Sequence, residues 1–75
     1  MALAGTIVFY SAEEQSGQLI VDLHPDLDPK FHLCGGRMSF FKKGEKFEKG
    51  QRVWCGVGIT SEGQLFAKDV RSYSD

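Results

Sequence analysis

Short β-rich runs separated by polar, glycine-containing breaks dominate the hydrophobic pattern of this chain. Thr6-Ile7-Val8-Phe9-Tyr10 is β-branched and aromatic, a composition that suits a pleated, half-buried surface and predicts a strand. Ser11 to Gly17 is polar and ends in a glycine able to supply positive φ. Gln18 to Val21 then resumes the β-rich run, so the segment reads as a hairpin. His24-Pro25-Asp26-Leu27-Asp28-Pro29 holds two X-Pro pairs, which favour extended or turn backbone and end the second strand. Lys30 to Cys34 alternates and predicts a third, shorter strand closed by Gly35-Gly36. Met38, Phe40, Phe41 and Phe47 fit one helical turn or a long loop with aromatic anchors, and we assign a loop over residues 38–49. Val53, Cys55, Val57 and Ile59 share one face of a fourth strand, which is core. Ser61 to Gln64 supplies a turn, and Leu65 to Val70 a fifth strand. Five short strands, no convincing long helix and a long connection between the third and fourth strands predict an all-β domain. Its expected form is a small five-stranded antiparallel barrel of the OB type.

Composition narrows the picture to one compact domain over residues 1–75, with a core of about residues 4–71 and a short tail at 72–75. A chain of this size buries only about 60% of the surface it exposes when unfolded, so the core is small. No apolar run approaches the roughly 20 residues needed to span a bilayer, and the N-terminus lacks the basic start and apolar segment of a signal peptide. The expectation is a cytoplasmic protein with no membrane association. Cys34 and Cys55 are too few for a disulfide scaffold and are expected to be small buried hydrophobes. The net charge of −1 conceals an uneven distribution. Between residues 37 and 52, Arg37, Lys42, Lys43, Lys46, Lys49 and Arg52 face only Glu45 and Glu48, a net of +4 on an otherwise acidic body.

The first hairpin resembles the opening of bacterial cold-shock domains, G-K-V-K-W-F-N followed by an A/S-E-K turn and G-F-G-F-I. Gly5, Ile7, Phe9, Tyr10, Ala12-Glu13, Gly17 and Leu19 match it without a gap. Asp28 to Cys34 overlays the family's D-V-F-V/F-H-F/I-S motif, with Phe31 and His32 fitting and Lys30 in the place of the first aromatic. Glu48 to Val53 is similar to the family's E-E-G-Q-x-V turn, and Leu65 to Val70 lies where the family has its terminal Q-A-A-N-V. The resemblance covers about residues 5–71 and implies the same barrel, with single-stranded DNA or RNA as partner. It also carries departures, because Glu14, Ser16 and Gln18 stand where the family places a lysine and two base-stacking phenylalanines.

Single-strand binding by OB folds combines a basic groove with aromatic faces on which bases stack, each contact contributing about 1–3 kcal/mol. By family position the chain retains Phe9, Tyr10 and His32, with Lys30 beside them. The basic segment adds Arg37, Lys42, Lys43 and Lys46, interleaved with Phe40 and Phe41. The expected function is non-enzymatic, weak binding of single-stranded nucleic acid with low sequence specificity. The plainer alternatives are ordinary packing for Phe9 and Tyr10, a local hydrogen bond for His32 and a solvated loop for the basic segment. A protein-interaction module on the same fold is the competing function, with Trp54, beside the bare backbone of Gly56 and Gly58, as a homodimer or partner surface; the plainer reading of Trp54 is burial under Tyr73 or the Phe40-Phe41 loop. No ligand spacing of the C-x-x-C kind, nucleophile elbow or phosphate-cradling loop occurs, so no metal, cofactor or catalytic residue is expected.

Overall fold

A computed structural model describes residues 2–73; the last two positions of the expected tail, 74 and 75, lie outside the described residues. The elements are β1 (Leu3–Ser11), β2 (Ser16–Val21), α1 (Pro29–Leu33), β3 (Arg37–Phe41), β4 (Arg52–Ile59) and β5 (Leu65–Ser72). The strands close a barrel in the order β1-β2-β3-β5-β4, with β4 returning to β1. This is a five-stranded barrel of the OB type. Four of its pairings are antiparallel, but β3 meets β5 in parallel at Ser39 and Phe66, so the barrel is mixed and not antiparallel throughout.

Alternation builds the interior: Leu19 and Val21 from β2, Met38 and Phe40 from β3, and Val53 and Cys55 from β4 all point inward. Ile7, Phe47, Ala67 and Val70 complete this small core. Gly17 is buried within β2 and not in the turn. A Cβ there would lie 2.3 Å from the Phe9 carbonyl oxygen, so glycine permits close approach of β1, while Gln15 carries the positive φ of the turn.

Two expected elements are corrected. Residues 30–34 form no strand: Pro29–Leu33 is a helix, with Asp28 as N-cap accepting from the Lys30 amide at 2.9 Å and Pro29 in the first turn. Both are favourable helix-start residues, since proline lacks only an N–H that the first turn leaves unbonded. Gly35 and Gly36, both at positive φ, stop the helix. Their amides donate to the His32 and Phe31 carbonyls at 3.2 and 2.8 Å, a Schellman arrangement. Residues 38–41, expected in a loop, form β3, so the connection to β4 is confined to residues 42–51.

That connection is fastened at three points. The Lys42 amide donates to the Gln15 carbonyl at 2.9 Å, Phe47 is buried in the core, and the Gly50 amide donates to the Ile7 carbonyl at 2.8 Å. At its far end Arg52 holds the strand ends together. It forms a two-pronged ion pair with Asp22 at 2.6 and 2.9 Å, donates to Thr6 Oγ1 at 2.8 Å and lies over the Tyr73 ring at 5.4 Å. The hydrogen bond from Arg52 holds the Asp22 carboxyl below its ordinary pKa of 3.8. A depressed folded-state pKa stabilises the fold above the unfolded value and loses that contribution as pH falls through the folded value. Asp22→Asn is therefore expected to lower the melting temperature at pH 7, with the gap to the unaltered protein closing below about pH 4. Thermal melts followed by circular dichroism across pH 2–7 measure this; a gap that does not change with pH would contradict it.

Candidate functional site

A bulge at Val8 decides which aromatics the first hairpin displays. Thr6 pairs with Ile20 and Ile7 with Leu19, but Phe9 pairs with Gln18, so one residue of β1 is extra. An extra residue reverses the parity of everything after it. Ile7 points inward before the bulge. Phe9, which unbroken alternation would send inward as well, points out and is 50% exposed. Tyr10 turns in, stacks on Phe40 at 6.0 Å between ring centres, meets the Phe47 edge at 5.5 Å and donates its hydroxyl to the Lys42 carbonyl at 2.6 Å.

The outer face of β1, β2 and β3 is thereby arranged in rows. Phe9, Gln18 and Ser39 form one row, and Ser11, Ser16 and Phe41 the next. Phe41 is 81% exposed. Arg37, opposite Ile20, leans back along the sheet, and its Nη1 donates to Gln18 Oε1 at 3.1 Å. Beside these rows a groove of about 590 Å³ runs between β3 and the β4–β5 turn, lined by Gln18, Arg37, Ser39, Phe41, Gln64 and Phe66 among others, with no acidic residue in its wall among the described residues. The face between strands 2 and 3, bordered by the loop between strands 4 and 5, is the surface that OB folds use for oligomeric ligands.

The expected site residues fall into three groups. Phe9, Arg37 and Phe41 share the outer face, and exposed Lys43 and Lys46 follow in the connection that begins directly after Phe41. Lys42 is partly engaged, its Nζ 3.8 Å from Glu45 Oε1. Phe40 and Tyr10 belong to the interior: Phe40 is 1% exposed, which corrects its expected place in a loop. Lys30 and His32 lie on α1 and not on the sheet. His32 Nε2 donates to the His24 carbonyl at 3.0 Å and ties the helix to the connector before it. Arg52, counted with the basic segment, is neutralised by Asp22.

Trp54 is half-buried under Tyr73, the rings parallel within 9° and 4.5 Å apart. The bare glycine surface expected beside it is filled. The Phe66 ring occupies the space over Gly58 and the Lys68 side chain that over Gly56. Phe66 was not among the expected site residues, nor was Gln18 as the partner of Arg37. The register of the β4–β5 hairpin, which sets Phe66 opposite Gly58, is the signal that leads to the first of these.

Cys34 is exposed at the end of α1, contrary to expectation, and its thiol donates to the Phe31 carbonyl at 3.5 Å. Cys55 is buried, and burial pushes its thiol up to about 11, so it stays protonated at neutral pH. Among the described residues no three His, Cys, Asp or Glu side chains come together as a metal site, and no helix is long and apolar enough to cross a membrane. No family model, curated protein or solved structure matches the chain.

Proposed function

We propose that this protein binds single-stranded DNA or RNA weakly and with little sequence preference, by stacking and electrostatics without chemistry. The observation that carries the proposal is the shared outer face of Phe9, Arg37 and Phe41, continued by the lysines of the 42–51 connection. Phe9 and Phe41 lie two strands and two residues apart, about 12 Å from strand geometry. Bases in a stacked strand rise only about 3.4 Å each, so the two rings suit an extended strand with its bases splayed apart. Lys43 and Lys46 supply positive charge for the phosphates.

Affinity is limited because Ser16 and Gln18 occupy the same face without offering rings. Two platforms at about 1–3 kcal/mol each, plus screened charges, place binding in the weak range. Affinity for a short oligothymidylate is expected to fall steeply with salt. Lys43→Ala/Lys46→Ala should reduce the slope of log affinity against log salt by about 1.4, at roughly 0.7 per phosphate contact on a single strand. Fluorescence anisotropy between low and moderate salt measures it. Binding that ignores salt, or no binding at low salt, sinks the proposal.

A protein-interaction module is the second reading. The homodimer version loses the bare surface it needed, since Tyr73 covers Trp54 and Phe66 covers Gly58. What favours a protein partner instead is Leu33, 89% exposed at the end of α1.

A further inference from the structure

We infer that Phe9, Gln18 and Arg37 form a guanine-reading position within this surface, an inference that rests on the proposed single-strand binding. Two arginines of the barrel are held in opposite ways. Arg52 is neutralised by the Asp22 carboxylate. Arg37 is held by a neutral amide oxygen, that of Gln18, and among the described residues makes no ion pair. Its charge is fixed in position without being cancelled, and among the described residues no acidic side chain lines the groove beside it.

The geometry also selects which donors remain. A guanidinium carries five N–H groups; one on Nη1 goes to Gln18, leaving the edge made by Nε–H and Nη2–H without a partner among the described residues. Arg37 reaches Gln18 by leaning two residues along the sheet, which brings its head into the row of Phe9, Gln18 and Ser39. Side chains directly opposite on paired strands start about 5 Å apart, so a base stacked on Phe9 presents its edge to this pair. Two parallel N–H donors match the O6 and N7 acceptors of guanine. Adenine and cytosine set an amino donor on that edge, and thymine or uracil offers a single carbonyl. Gln18, which stands where a stacking ring is absent, thus serves to orient the reading arginine. The surface reads one base and is indifferent to its neighbours.

The test uses a thymidine hexamer and versions with one internal guanine, adenine, cytosine or 7-deazaguanine, titrated at low salt by fluorescence anisotropy. The guanine hexamer is expected to bind about tenfold tighter than the others. The 7-deazaguanine hexamer, lacking the N7 acceptor, should lose that gain. Arg37→Lys keeps the charge but not the fork, and should bring the ratio of guanine to thymine affinities to about one. Both Arg37 and Gln18 are away from the core, and a circular dichroism melt verifies that the variant is folded. Equal affinity for all the hexamers, or a guanine gain that survives 7-deaza substitution or Arg37→Lys, overturns the guanine position and leaves the broader proposal standing. Failure to bind any hexamer overturns both.

Discussion

Replacing Phe40 by alanine is expected to lower the melting temperature by about 12 °C or more, while replacing its neighbour Phe41 shifts it by less than about 4 °C. Phe40 is 1% exposed and forms the centre of an aromatic group, stacked on Tyr10 at 6.0 Å and meeting the Phe47 edge at 5.6 Å. Truncating a buried phenylalanine costs about 3–5 kcal/mol. A domain of this length has a total stability on the order of 4–11 kcal/mol, so the loss is a large share of it. The damage extends beyond β3. Tyr10 and Phe47 lose their common partner, and with them the contacts that hold the 42–51 connection against the barrel. Phe41 touches solvent over most of its surface, and its removal leaves the interior intact. Thermal melts of the two variants followed by circular dichroism compare them directly. Equal shifts for both would mean that β3 does not run in the register described.

The second large effect concerns the outer face. Phe9→Ala and Phe41→Ala are each expected to weaken single-strand binding by about 1–3 kcal/mol, between roughly fivefold and a hundredfold. The two rings are about 12 Å apart by strand geometry, beyond the range at which neighbouring sites couple. The double variant should therefore show the sum of the two losses within about 0.5 kcal/mol. Isothermal titration with an oligothymidylate long enough to reach both rings measures the cycle. A double variant no weaker than either single variant would indicate that only one ring meets a base.

The fold was largely legible in the sequence because a small barrel is specified by local signals that the chain carries openly. The runs at residues 6–10, 18–21, 53–59 and 65–70 all lie within strands. Residues 28–41 depart from the expected order for a definite reason. Lys30 to Cys34 alternates as a strand does, but Asp28-Pro29, whose capping oxygen and missing N–H begin a helix, overrides that pattern. A third strand at residues 30–34 leaves Met38 to Phe41 to a loop, whereas they form β3. Strand alternation sends Phe40 and Phe41 to opposite faces, a distinction that a loop does not make.

The site was less legible, because its two main choices are made by register. Whether Phe9 or Tyr10 faces outward depends on the extra residue at Val8, and nothing in the composition of residues 6–10 marks a bulge there. A second bulge acts in β5. Two residues, Asp69 and Val70, stand opposite the single Cys55, with Asp69 at positive φ, so Ala67 and Val70 both reach the interior three positions apart. The bond between Arg37 and Gln18 crosses from β3 to β2 and depends on their register, which local alternation does not reveal.

The most direct test of the central claim, that the outer face of β1 to β3 receives single-stranded nucleic acid, is an amide NMR titration with short single-stranded DNA and RNA at low and high salt. The predicted result is a set of shifts at low salt on Phe9, Gln18, Arg37, Ser39, Phe41 and the lysines of residues 42–46. They should diminish at high salt and spare Trp54 and Tyr73, which line a separate cavity with Ala4 and Asp22. Silence on that face at low salt, or shifts confined to Trp54 and Tyr73, would contradict the claim.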